Sequence, residues 1–138
     1  MNCQDGFISD SADTVQNLSD IIEKINPDIV FTHFYDDRHQ DHRKTSFCVR
    51  SACWGKYNLL YFQSYSTMNF EPSIFVDITN FIQLKIRAIN CYISQIEKYN
   101  KRNIDFVERL ICMDKRNGGN IHCLYAEGFI AANCVWKI

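Results

Sequence analysis

Nothing in this sequence approaches the ~20 consecutive apolar residues that a membrane-spanning helix requires. The start, Met1-Asn2-Cys3-Gln4-Asp5-Gly6, has neither the basic nor the apolar region of a signal peptide. The expectation is therefore a cytoplasmic protein with no membrane span, in a compartment that keeps thiols reduced. An excess of either charge is missing too: 15 basic against 16 acidic residues leave a net charge of -1. Without a basic stripe, nucleic acid is not an expected partner, and without a basic amphipathic helix neither is a membrane surface. The seven cysteines are odd in number and include no C-x-x-C pair. That argues against a disulfide framework or a thiolate zinc knuckle, and most of them sit among apolar residues, as small core side chains do. There is no internal repeat, linker or low-complexity tract, so the 138 residues read as a single domain, 1–138, or a piece of one.

What is present alternates between helix and strand. Ser11 or Asp13 caps a helix whose Val15, Leu18, Ile21, Ile22 and Ile25 recur at helical spacing. Asn26-Pro27 ends it, because the residue before proline avoids the α region. Asp28 to His33 reads as a buried strand. A polar stretch from Tyr35 to His42 precedes a helix from Asp41 to about Trp54, with Phe47, Val49 or Cys48, and Ala52 on its inner face and Gly55 stopping it. Leu59 to Phe62 is a second strand, Ser64 to Pro72 a loop, and Ile74 to Ile78 a third strand. Asp77 or Thr79 then caps one long amphipathic helix containing Phe81, Ile82, Ile86, Ile89, Tyr92, Ile93 and Ile96. A further helix spans about Ile104 to Arg116, closed by Gly118-Gly119, and Tyr125 to Val135 forms a last strand. This pattern predicts an α/β, Rossmann-like, mainly parallel sheet flanked by helices. Such domains open with a strand, whereas this chain opens with a polar segment and a helix, so the first strand looks missing.

In open α/β sheets, ligands bind beyond the carboxyl ends of the strands. The stretch after strand 28–33 lies there and gathers Asp36, Asp37, Arg38, His39, Asp41 and His42. Two histidines three apart at a helix start face one cavity, so one can ligate a metal while the other meets substrate. Asp41 either fixes an imidazole tautomer, as carboxylates behind metal-bound histidines do, or simply caps the helix. Asp36 and Asp37 are either alternative ligands or a solvated loop. Arg38 and Arg43 either bind an anionic substrate group or stay exposed beside acidic neighbours. His33 reads as a structural or pocket-lining residue and His122 as part of a surface turn. Tyr57, Tyr61, Phe62, Tyr65 and Phe70 either line a sugar pocket or fill the core.

Pro27 to His33 followed by Asp37-x-His39-x-Asp41-His42-Arg43 resembles the second conserved block of the LmbE-like, or PIG-L, N-acetylglucosaminyl deacetylases. Asp5-Gly6 and the helix before Pro27 are similar to that family's lead-in. Phe75-Val76-Asp77-Ile78 followed by Lys85, Ala88 and Tyr92-x-Ser94-Gln95 is similar to its later strand and helix. Tyr125-Ala126-Glu127-Gly128-Phe129 resembles its A-E-x-F element. The resemblance runs in order through nearly the whole chain. It implies zinc-dependent removal of acetyl from an N-acetylglucosamine unit of a glycoconjugate, with a metal-activated water attacking the amide carbonyl. It implies that His42 is a zinc ligand, that His39 stabilises the oxyanion or protonates the leaving amine with Asp41 orienting it, and that Glu127 lies near the substrate pocket. The family's A-H-P-D-D-E motif, which carries two further ligands and the general base, is absent here. The expected zinc site is thus incomplete. The alternatives are an inactive remnant or binding module of the same fold, or a half-enzyme completed by another chain. An uncovered sheet edge further predicts marginal stability or homo-oligomerisation.

Overall fold

The computed structural model describes residues 4–135. They form two compact units, one of residues 4–74 with 129–135 and one of residues 75–128. The four strands are β1 (Ile29–His33), β2 (Asn58–Phe62), β3 (Ile74–Asp77) and β4 (Ala126–Asn133), in the sheet order β1-β2-β4-β3. β1 and β2 are parallel, in a register that sets His33 beside Phe62. The sheet is not purely parallel, since β4 runs antiparallel to β2, with Phe62 opposite Phe129.

In the first unit, α1 (Ala12–Ile25) and α2 (Gln40–Ala52) pack against each other and α2 against β1. Ser11 caps α1 by accepting the Thr14 N–H, and Asn26 leaves it in the left-handed conformation that closes helices. The core joins Ile22 of α1, Val49, Ala52 and Cys53 at the end of α2, and Leu59 of β2, with Val15, Leu18 and Val30 packed on them. Burying a leucine such as Leu59 contributes about 1.5–3 kcal/mol. A second cluster is aromatic, with Phe70 and Tyr61 set edge-on to Phe34.

Several expectations are corrected here. β1 is not buried on both faces: Ile29 and Phe31, two apart and so on one face, are exposed. On α2 Cys48, Val49 and Ala52 turn inward as expected, joined by Ser46, but Phe47 stays exposed. Cys48 and Cys53 are core residues, but Cys91, Cys112 and Cys134 are exposed; Cys3 lies outside the described residues.

In the second unit, a 3₁₀ turn (Thr79–Phe81) leads into α3 (Ile82–Asn90), α4 (Ile93–Asn100) and α5 (Phe106–Asn120). The single long helix expected here is therefore two helices. Cys91 N–H binds the Ala88 carbonyl and Tyr92 N–H the Ile89 carbonyl; these i→i+3 bonds tighten and end α3 although its apolar spacing continues. Gly118 and Gly119 do not close α5 but lie inside it. A Cβ on Gly118 would come within 2.7 Å of the Cys123 carbonyl oxygen, so the glycine serves close packing. The chain instead turns at His122, whose φ is 58° and which is exposed as expected.

Candidate active site

The loop that leaves β1 is zipped to the loop that leaves β2. Arg38 N–H donates to the Ser66 carbonyl and Met68 N–H to the Asp36 carbonyl. This pairing carries Asp37 into full burial. There its Oδ1 accepts from the His39 N–H (2.8 Å) and the Ser66 hydroxyl (2.6 Å). Its Oδ2 accepts from the Ser64 hydroxyl (2.5 Å) and the Thr67 hydroxyl (2.9 Å), and lies 3.1 Å from His42 Nδ1. Burial alone would raise this carboxyl group's pKa. The hydrogen bonds from Ser64, Ser66, the His39 N–H and His42 outweigh burial and hold it well below the usual carboxylate range. Arg43 closes the loop from outside, donating to the carbonyls of Asp37 (2.6 Å) and Arg38 (2.9 Å). Its guanidinium is thereby engaged with backbone.

His42 lies in the first turn of α2, and its ring is sandwiched. His33, at the end of β1, stacks on one side with ring centroids 3.8 Å apart and planes within 6°. His39 stacks at 4.7 Å. Burial, followed by the neighbouring His42 and His39, pushes the His33 pKa down to about 4 against an opposing pull from Asp37, so His33 is neutral at ordinary pH. His39 is the N-cap of α2: its Nδ1 accepts the Asp41 N–H at 3.2 Å. Asp41 therefore reaches His39 through its backbone. Its buried carboxylate is occupied elsewhere, accepting the Gly6 N–H at 2.6 Å and the Ile8 N–H at 3.4 Å. Gln40 adds a bond from Nε2 to the Gly6 carbonyl (2.8 Å), so the start of α2 holds the segment leading into the chain.

The first unit thus brings His39, His42, Asp41 and Asp37 together, with Arg38 exposed alongside. Glu127 belongs to the second unit, where its Oε1 lies 2.7 Å from Lys85 Nζ. Lys85 also meets the buried Asp114 at 2.9 Å. Sequence reasoning missed the hydroxyl cradle of Ser64, Ser66 and Thr67; the only trace of it was a cluster of hydroxyl residues in a stretch read as loop.

A catalytic zinc site takes three N or O ligands from the protein and leaves a position for water. Among the described residues, no three His, Cys, Asp or Glu side chains are grouped to hold an ion. Asp37 is already engaged by the His39 N–H, three hydroxyls and His42, and Asp41 is committed to the leading segment. No set of three donors is left among the described residues, so the residues present do not fit the metal implied by the resemblance.

The fold and the placement of this site after β1 define a PIG-L/LmbE-like α/β fold. Residues 1–53 match the family described as GlcNAc-PI de-N-acetylase, PIG-L. The conserved protein TT1542 from Thermus thermophilus superposes with a TM-score of 0.79 at 23% identity, over 99% of this chain and 66% of that one. N,N'-diacetylchitobiose deacetylase from Pyrococcus horikoshii gives 0.76 at 23% identity, over 94% and 55%. GalB, the 4-carboxy-2-hydroxymuconate hydratase from Pseudomonas putida KT2440, gives 0.70 at 19% identity, over 93% and 61%. The chain thus spans less than two thirds of the length of each of these structures. One fold carries both a deacetylase and a hydratase here, so the reaction has to be argued from the site.

Proposed function

We propose that this chain is the histidine-bearing part of a PIG-L/LmbE-type de-N-acetylase acting on an N-acetylglucosamine unit of a glycoconjugate. The observation that carries the reading is the pair His39 and His42 at the start of α2, directly after the carboxyl end of a parallel strand, each ring fixed through its Nδ1. Held in this way, His39 directs Nε2 outward, where it serves as hydrogen-bond donor to the oxygen of an amide under attack or as proton donor to the departing amine. Arg38, exposed beside it, is assigned to an anionic group on the substrate. The zinc implied by the family would need ligands from beyond the described residues, supplied by further chain or by a complementing subunit.

The lack of a three-ligand cluster among the described residues favours a second reading, a module that binds the glycoconjugate without hydrolysing it. The deciding experiment is zinc content by elemental mass spectrometry, beside a His42→Ala control, together with acetate release from N,N'-diacetylchitobiose. Near-stoichiometric zinc that is lost in the control, with acetate released, supports the enzyme. Saturable binding of the disaccharide with neither zinc nor acetate supports the binding module and overturns the enzyme reading for this chain.

A further inference from the structure

The surroundings of the two imidazoles assign each nitrogen its proton. Three oxygens lie within reach of His42 Nδ1: Asp37 Oδ2 at 3.1 Å, Ser64 Oγ at 3.3 Å and Ser66 Oγ at 3.4 Å. A serine hydroxyl has one proton to give. The protons of Ser64 and Ser66 both go to Asp37, at 2.5 and 2.6 Å. Every oxygen facing Nδ1 is therefore an acceptor, and Nδ1 must carry the hydrogen. In the neutral form of the ring, Nε2 then presents a bare lone pair. The reverse holds for His39. Its Nδ1 faces the Asp41 backbone N–H, a group that can only donate, so Nδ1 is bare and the hydrogen sits on Nε2.

We propose that the buried Asp37, with the hydroxyls of Ser64, Ser66 and Thr67, is a positioning device that locks the tautomer of His42 opposite to the one the Asp41 N–H sets on His39, so that one ring offers an electron pair and its stacked neighbour a proton. Such a pair matches a ligand group with an acceptor atom next to an electron-poor or hydrogen-bearing one, as in an amide or a carboxylic acid. The match to an acetamido group rests on the deacetylase reading; the tautomers do not. Thr67 adds a further hydrogen bond to Oδ2 and so favours the ionised, acceptor form of Asp37.

The test is long-range ¹H–¹⁵N correlation NMR of the ring nitrogens at about pH 8, above the ordinary imidazole range, with His39→Gln and His42→Gln variants assigning the signals. The expected spectrum of the unaltered chain gives His42 a protonated Nδ1 and an unprotonated Nε2, and His39 the opposite. In Asp37→Asn, whose amide can donate to Nδ1, the His42 pattern is expected to swap while that of His39 stays. The same tautomer on both rings, or a protonated Nε2 on His42 in the unaltered chain, overturns the proposal even if Asp37→Asn does not fold. Failure to release acetate would sink the deacetylase reading and leave the tautomers standing, so the two failures are distinguishable.

Discussion

Gly118→Ala and Gly119→Ala form a matched pair in which helix propensity and packing predict opposite signs. Both residues lie in α5, where alanine exceeds glycine by about 1 kcal/mol. At Gly119 a Cβ meets nothing within 4 Å, so the alanine should gain up to ~1 kcal/mol. At Gly118 the Cβ would lie 2.7 Å from the Cys123 carbonyl oxygen and 2.9 Å from both the Leu124 carbonyl carbon and the Tyr125 nitrogen, all of them backbone atoms. That backbone is held in place. Cys123 N–H binds the Gly118 carbonyl, Tyr125 N–H binds the Thr79 hydroxyl, and the Tyr125 carbonyl accepts the Ile78 N–H. Overpacking against a segment tied at several points costs about 1–3 kcal/mol, which exceeds the propensity gain. For a chain of this size each kcal/mol moves Tm by roughly 3–5 °C. Gly118→Ala should therefore melt several degrees below the unaltered chain and Gly119→Ala at or above it, measured by circular dichroism at 222 nm and by urea titration. A Gly118→Ala protein at or above the starting Tm would refute the packing argument and leave propensity as the governing term.

The remaining predictions concern the two carboxylates whose partners were least expected. Asp41→Ala removes the acceptor for the Gly6 and Ile8 amides and should cost about 1.5–3 kcal/mol in urea unfolding, with faster hydrogen exchange at the Gly6 N–H; unchanged protection at Gly6 would show that the tether is not made in solution. Burial, with Glu127 nearby and Lys85 opposing, raises the Asp114 pKa above its ordinary 3.8. The folded chain then binds the proton more tightly than the unfolded one. Its stabilising effect is complete below the unfolded pKa and is lost as pH rises through the folded value. The stability advantage of the unaltered chain over Asp114→Asn should accordingly shrink as pH is raised from below about 4, and a gap that widens with pH would contradict the raised value.

The parts legible in the sequence were those set by neighbours along the chain. Ser11 at the head of α1, the exit at Asn26 and the polar turn after β1 all follow from spacings of a few residues. The histidine pair was legible for the same reason, because i and i+3 share a helix face. Asp37 was not, since its hydroxyl donors sit 27 to 30 residues away in a loop without periodic signal. The partner of the Asp41 carboxylate was not legible on local grounds: His39 is its near neighbour in sequence, while the bond comes from Gly6, 35 residues back. Gly118-Gly119 reads as a helix end by composition but lies inside the helix, with Gly118 close against the turn at Cys123 to Tyr125. The exposure of Ile29 and Phe31 depends on what covers that face of the sheet, which no single strand's pattern encodes.

The bonds from Gly6 to Asp41 and Gln40 matter for how this protein is handled. An affinity tag, a fluorophore or a fused reporter attached ahead of Gln4 hangs from the same helical turn that presents the two histidines. Bulk or tension applied there loads the bonds to Asp41 and Gln40, the residues that lie between His39 and His42 in the chain. Tag removal is therefore a control for any binding or turnover measured on this chain, and a reporter dye at that end would double as a sensor of ligand arriving at His39 and His42.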